Sequence, residues 1–188
     1  DKNLQIEYSR KFSKDKYIES LYSLYFFEND SPFQSLIHSL KYKGNFRVGE
    51  LLGSKIYYHN KDKLVSLNID FIIPAPLHHI KRALRGYNQS FYIAKQLGKL
   101  LNIPCNTKIV KRISNKESQT SFNLEQRKKN IKNAFSVINP NLITNKNLLL
   151  VDDIITTGAT LNECAKTLKE AAECKIYVIS SGIPTLTY

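Results

Sequence analysis

The spacing of hydrophobic positions changes several times along the chain, and each change marks an element. From about residue 66 onward, short apolar runs alternate with longer stretches of helical spacing. That alternation is expected of a parallel sheet covered by helices, the α/β class. IDFIIPAPL (69–77) predicts a buried strand stopped by Pro74 and Pro76. GYNQSFYIAKQLGKLLNIP (86–104) predicts a helix. Its Phe91, Ala94, Leu97 and Leu101 share one face, and Pro104 lies beyond its end. TKIVKRI (107–113), LLLVDD (148–153) and KIYVISSGI (175–183) supply three further strands. Before the last of these, residues 160–173 place Leu161, Cys164, Ala165, Leu168 and Ala172 on one helical face.

The first 65 residues carry a weaker pattern. YIESLYSLYFF (17–27) predicts a strand whose Tyr22, Tyr25, Phe26 and Phe27 either pack in a core or line an aromatic pocket. SPFQSLIHSL (31–40) predicts a helix with Ser31 as N-cap and Pro32 at the first helical position. Gly44 interrupts, and Val48, Leu51, Leu52 and Ile56 suggest another helical segment. Residues 114–136 are polar and basic, a long insertion of the kind compact domains use for function or mobility.

Composition narrows the class. The 188 residues are 42% hydrophobic, enough for a core, and no stretch of 18 apolar residues predicts a membrane span. Lys and Arg number 28 against 16 acids, a net charge of +12 that suits nucleic acid, anionic lipid or polyphosphate ligands. Cys105, Cys164 and Cys174 form no CxxC pair, so a zinc knuckle is not supported. An odd cysteine count with no secretion signal points to reduced thiols and a cytoplasmic protein, with the three thiols as small buried hydrophobes. The chain opens on Asp1 and contains no methionine, so further residues are expected ahead of it in the translated protein.

Against that basic background, one stretch is anomalous. LLLVDDIITTGATLNECAKTL (148–168) runs from a buried strand into two adjacent aspartates, then into small and hydroxylated residues at the start of a helix. Ligands of parallel sheets sit beyond the carboxyl ends of the strands. A helix N-terminus offers free N–H groups to a phosphate, and Gly158 permits close approach of the backbone. The loop therefore favours phosphate, whereas Asp152 and Asp153 favour hydroxyls or a metal. A sugar phosphate with vicinal hydroxyls satisfies both. The competing phosphate motifs GxxxxGK[ST] and GxGxxG are absent.

LLLVDDIITTGAT resembles the phosphoribosyl pyrophosphate (PRPP) signature of type I phosphoribosyltransferases. IHSLKYKGN, IIPAPLHHIKRALRGYNQS and SQTSFNLEQRKKNIKNAF, followed by that signature, resemble the ComF family in the same order over residues 33–182. The resemblance implies a Rossmann-like parallel sheet flanked by helices. Residues 1–30 would be a small hood segment, and 31–188 the core with a flexible loop at 114–136. It implies that Asp152 and Asp153 contact the ribose diol and favour positive charge at the anomeric carbon. Thr156, Thr157, Gly158, Ala159 and Thr160 would hold the 5′-phosphate.

By the same resemblance, Pro76, Leu77 and His78, with Lys81, Arg82 and Arg85, would face the pyrophosphate. Gln119, Arg127 and Asn130 would act in the flexible loop. Mg²⁺ would enter with PRPP, held through its oxygens rather than by a direct protein site. His78 and His79 are adjacent on a loop without an acid or Cys at ligand spacing, which disfavours a metal pair. Many ComF members carry an N-terminal cysteine zinc module, for which these residues give no support. Two functions follow. One is transfer of the phosphoribosyl group to an unknown acceptor, with pyrophosphate release, in nucleotide metabolism or DNA uptake. The other is a non-catalytic, PRPP-sensing competence protein that binds single-stranded DNA in natural transformation. For the second, Lys and Arg clusters at 81–85, 108–116 and 127–132 lie among Tyr87, Phe91 and Phe122. A homodimer is compatible with either.

Overall fold

A computed structural model describes residues 2–12, 16–77, 79–113 and 133–185. Its centre is a four-stranded parallel sheet in the order β1-β6-β5-β2. The strands are β1 (Ser20–Phe27), β2 (Phe71–Pro74), β5 (Lys146–Ile154) and β6 (Cys174–Pro184). The central pair, β5 and β6, runs in register from Lys146 opposite Cys174 to Ile154 opposite Gly182. β5 is covered on both faces, which is why LLLV is continuously apolar rather than alternating. Leu148 and Leu150 face one core cluster, and Leu149 and Val151 face the other.

The first cluster is closed by α6 (Ala159–Ala171) and by α1 (Lys2–Phe12), whose Phe12 is fully buried. Leu161, Cys164, Ala165 and Leu168 are the buried face of α6, as their spacing predicts. The second cluster is closed by α2 (Pro32–Tyr42), α3 (Phe46–Ser66) and α5 (Gln89–Leu101). α3 and α5 pack closely because Gly49 and Gly53 have no side chain. A Cβ at Gly49 would lie 2.6 Å from the Tyr92 Cβ, and one at Gly53 would lie 2.7 Å from the Ile93 carbonyl oxygen. Ser31 caps α2 through the Gln34 N–H, with Pro32 following it, as expected. α5 ends where Asn102 adopts a left-handed conformation, and it starts three residues later than its pattern suggested.

Three parts depart from the sequence pattern. Residues 107–113 do not join the parallel sheet. Within them β3 (Val110–Arg112) pairs antiparallel with β4 (Phe135–Val137) as a separate ribbon. Just ahead of this segment, Cys105 makes an isolated parallel bridge to Ile72 of β2. Residues 2–12, which carry no strong period, form α1. Basic residues 79–85, following the loop after β2, form the short helix α4 (His79–Arg85). β1, drawn from the first 30 residues, is an edge strand of the central sheet. Its Phe27 is buried, and Tyr22 and Phe26 pack against the core. Cys164 and Cys174 are buried and Cys105 is half-buried, all three as free thiols. Burial pushes each thiol up, Cys105 to about 11. Among the described residues, no helix is long and apolar enough to cross a membrane.

Candidate functional site

β5 delivers Asp152 and Asp153 to the carboxyl edge of the sheet, next to β2, where the chain leaves the sheet at Ala75. The turn Ile155–Gly158 then leads directly into α6. Gly158 has φ +75°, a left-handed conformation that a side chain disfavours. Asp152, Ile154, Ile155, the Thr156–Thr160 loop and Leu161 line one small open pocket of about 50 Å³. The Thr157 hydroxyl accepts from the Ala159 N–H at 3.3 Å, shaping the turn. The carboxylate and the phosphate-type loop are thus brought into one concavity, at the N-terminus of a thirteen-residue helix.

The two aspartates differ in surroundings. Asp152 is half-buried, and its Oδ1 accepts from the Ser90 hydroxyl and from the Asp153 N–H, each at 2.9 Å. Asp153 is 3% exposed. Its Oδ2 lies 2.9 Å from the Lys41 ammonium, and its Oδ1 accepts from the Gln89 amide at 3.4 Å. Desolvation and the neighbouring Asp153 charge raise the Asp152 carboxyl to about 8. Burial also works against ionisation at Asp153, but the Lys41 charge outweighs it and holds that carboxyl below its ordinary value. The two carboxyls are therefore pushed in opposite directions, Asp152 toward its neutral form and Asp153, beside Lys41, toward its charged form.

Lys41 and Ser90 were not singled out from the sequence as site residues, whereas Gln89 belongs to the RGYNQ run (85–89), which the family resemblance implies lies near the ligand. Lys41 ends α2 and lies within IHSLKYKGN; Gln89 and Ser90 open α5 within RGYNQS. The structure brings these two segments together. The Tyr87 hydroxyl donates to the Leu40 carbonyl and accepts from the Gly44 N–H. Asn88 caps α5 by accepting from the Ser90 N–H at 3.1 Å, while its amide donates to the Ala75 carbonyl at 2.9 Å. One asparagine therefore sets both the start of α5 and the course of the loop after β2. The signal available in sequence was co-occurrence of the motifs. Contact between residues 41 and 153 has no local periodicity to reveal it.

Of the predicted pyrophosphate residues, Pro76 and Leu77 sit half-buried on that loop. Arg82 is exposed on α4. Arg85 donates to the Gln89 side-chain carbonyl at 3.0 Å and stacks over the Tyr42 ring at 5.0 Å. Arg85 is thus two contacts from Asp153. Lys81 lies in α4, and His78 falls outside the described residues, as do Gln119, Arg127 and Asn130. Beyond Tyr42, aromatic rings continue across the surface: Phe46 stacks on Tyr92 at 4.3 Å and meets Tyr87 edge-on at 4.8 Å.

One further cation reaches the loop, from α1. The Lys11 ammonium donates to the Thr156 carbonyl and lies 3.0 Å from Glu7, with its side chain 5% exposed. The next residue, Phe12, has its ring against Gly158, where a Cβ would lie 2.7 Å from the ring.

Comparison with known proteins agrees with this geometry. The family model for the phosphoribosyl transferase domain matches residues 88–181, half of the chain, including Asp152, Asp153 and the loop that follows. Competence protein F of Haemophilus influenzae is 35% identical over 151 residues, covering 78% of this chain and 66% of that protein. The DNA utilization protein YhgH of Escherichia coli K12 is 29% identical over 140 residues, covering 73% of this chain and 61% of that protein. The chain thus spans less than two thirds of the length of the curated relatives it matches. Among solved structures, UMP synthase of Leishmania donovani is similar at 16% identity and TM-score 0.36, over 77% of this chain and 23% of that one. The matched domain, the 35% identical relative and the parallel sheet with its acid pair and phosphate-type loop agree: the chain belongs to the phosphoribosyl transferase domain family, as a ComF-like member of the type I α/β fold.

Proposed function

We propose that this protein binds PRPP at the carboxyl end of β5 and transfers its phosphoribosyl group to an acceptor, releasing pyrophosphate. The observation that carries this reading is one pocket that joins Asp152 to the Thr156–Thr160 loop. In this reading the backbone N–H groups at the start of α6 hold the 5′-phosphate. The Asp152 and Asp153 carboxyls receive the ribose hydroxyls. Arg82, Arg85 and Lys81, with Pro76, Leu77 and His78, serve the pyrophosphate end, where a guanidinium suits bidentate phosphate contact.

Two carboxylates beside a diphosphate fit a hard divalent cation that keeps most of its ligands from phosphate and water. Among the described residues, no group of three or more metal-ligating side chains occurs. Any such Mg²⁺ would be held through the oxygens of PRPP and water rather than by a direct protein site, and would supply charge neutralisation to the leaving group. Transfer would then rest on positioning and electrostatics. The negative field of the acid pair would favour positive charge as it grows at the anomeric carbon. Gln119, Arg127 and Asn130 belong to the segment proposed to exclude water during that step.

The acceptor is tested directly by measuring pyrophosphate release from PRPP and Mg²⁺ across planar bases, amines and nucleic acids. Release with one acceptor class, lost in Asp153→Asn, supports the transferase. Absence of release with every class, alongside intact PRPP binding, would leave a PRPP-sensing protein.

A second reading draws on the aromatic surface. Arg85 lies over Tyr42, Lys95 lies near Phe91, and Phe46 stacks on Tyr92, which meets Phe91 edge-on. Cations interleaved with aromatic rings suit a phosphate backbone and unpaired bases. Relatives printed as a competence protein and a DNA utilization protein are consistent with single-stranded DNA as the partner. Binding that falls steeply with salt is the expected signature, and no binding at low salt would remove this reading.

A further inference from the structure

Four consecutive residues at the start of α5 each grip a different part of the site. Tyr87 holds the end of α2, from which Lys41 reaches Asp153. Asn88 holds the loop after β2 at the Ala75 carbonyl, and the Ser90 hydroxyl donates to Asp152. Gln89, only 5% exposed, touches both an acid and a cation. Its Nε2 donates to Asp153 Oδ1 at 3.4 Å, and its Oε1 accepts from Arg85 Nη1 at 3.0 Å. The two neighbours dictate this side chain. A carboxylate requires a donor and a guanidinium requires an acceptor, so glutamate would turn an acceptor toward Asp153 and lysine would turn a donor toward Arg85. Asparagine has the right groups but is one methylene shorter. Turning the amide over would set carbonyl against carboxylate and N–H against guanidinium, so its orientation is fixed as well. On its other side Arg85 is held by Tyr42, whose ring lies 5.0 Å away and whose hydroxyl accepts from Nη2 at 3.4 Å.

We propose that Gln89 is a positioning residue that fixes Arg85 relative to the acid pair, so that a ligand with a diol at one end and a diphosphate at the other meets both in register. This rests on the proposed PRPP reading of the pocket and adds to it. Gln89 acts through Arg85 and not by contact with the ligand. An arginine clamped between a ring and a buried amide has already given up its rotamer freedom, so less is lost when the diphosphate arrives. The far end of that amide is Asp153, which ties the position of the cation to the sugar-binding acids rather than to the surface of α4.

The test is titration calorimetry of the full chain with PRPP and Mg²⁺, and with ribose 5-phosphate, which lacks the diphosphate. Arg85→Met should weaken PRPP about tenfold, the scale for a hydrogen bond to a charged group. Gln89→Met keeps the length of the side chain and removes both of its hydrogen bonds. It should weaken PRPP severalfold, with a smaller loss for ribose 5-phosphate. The double variant decides: because Gln89 acts through Arg85, it should bind PRPP within about twofold of Arg85→Met alone. Gln89→Asn takes the place of Gln89→Met in the same cycle if the latter does not fold. Losses that multiply in the double variant, an equal loss for ribose 5-phosphate and PRPP, or PRPP affinity unchanged in either single variant would overturn the inference. Failure of the wild type to bind PRPP would instead overturn the PRPP reading.

Discussion

Replacing Lys41 with methionine tests the electrostatics of the site without touching either aspartate. Methionine keeps most of the apolar stem and removes only the ammonium 2.9 Å from Asp153. Two unit charges about 4 Å apart attract by about 4 kcal/mol at the effective dielectric of a protein edge. Lys41 keeps 23% of its side chain exposed, so solvent screens part of that, and we expect a loss of roughly 2–3 kcal/mol at pH 7.

Proton uptake sets a ceiling on the variant's own penalty. The unfolded Asp153 carboxyl titrates near 3.8, and keeping it protonated in the fold costs about 1.4 kcal/mol per pH unit above that value. Proton uptake thus limits the variant's own penalty to about 4 kcal/mol at pH 7 and about 1 kcal/mol at pH 4.5, and the stabilisation that Lys41 gives the wild type is lost in addition at both. The sign follows from the lowered Asp153 pKa. In the wild type this group contributes stability above the unfolded value and loses it as pH falls through the folded value. Without Lys41 that contribution is gone, so the variant is penalised most at neutral pH and least in acid. Urea unfolding of wild type, Lys41→Met, Asp153→Asn and the double variant at both pH values measures the effect and the coupling between the two residues. An equal loss at the two pH values, or no coupling in the double-mutant cycle, would refute the reasoning.

Other consequences are equally specific. Asp152→Asn should raise Tm by a few degrees at pH 7 while weakening PRPP binding. The wild-type carboxyl holds a proton up to about 8 that the unfolded chain releases near 3.8, a cost that grows as pH rises between those values. The gain should vanish at pH 4, and a gain independent of pH would contradict the assignment. Gly158→Ala should cost about 1–2 kcal/mol, from its positive φ and the Phe12 ring, and should speed amide exchange throughout α1. Phe46→Ala should weaken single-stranded DNA binding by about 1–3 kcal/mol if a base stacks there, with PRPP affinity unchanged.

The elements that read clearly from sequence are those with one dominant environment. LLLVDD and KIYVISSGI are buried on both faces, so composition alone marks them as central strands. Ser31-Pro32 and Asn88 announce their helices through capping chemistry that acts within three residues. Features that depend on distant partners were not visible. Val110–Arg112 has a strand-like composition, but only its pairing partner Phe135–Val137 decides that it forms an antiparallel ribbon. α1 has a weak helical period, and its place is fixed by Phe12 and Tyr8 entering a core made by later residues. In the site, Asp152, Asp153 and the glycine-containing turn form one continuous segment and were legible as such. Lys41, Gln89 and Ser90 complete the acid pair from other helices; the RGYNQ run pointed toward Gln89, but the contacts themselves, and Lys41 and Ser90 altogether, are disclosed only by the folded arrangement.

PRPP titrated with Mg²⁺ into wild type and Asp153→Asn is the most direct measurement of the central claim, that the acid pair and the Thr156–Thr160 loop form one ligand site. The account predicts saturable binding by the wild type, with one molecule per chain, and a loss of at least about tenfold in the variant. No heat of binding at millimolar PRPP, or equal affinity in the two proteins, would contradict it.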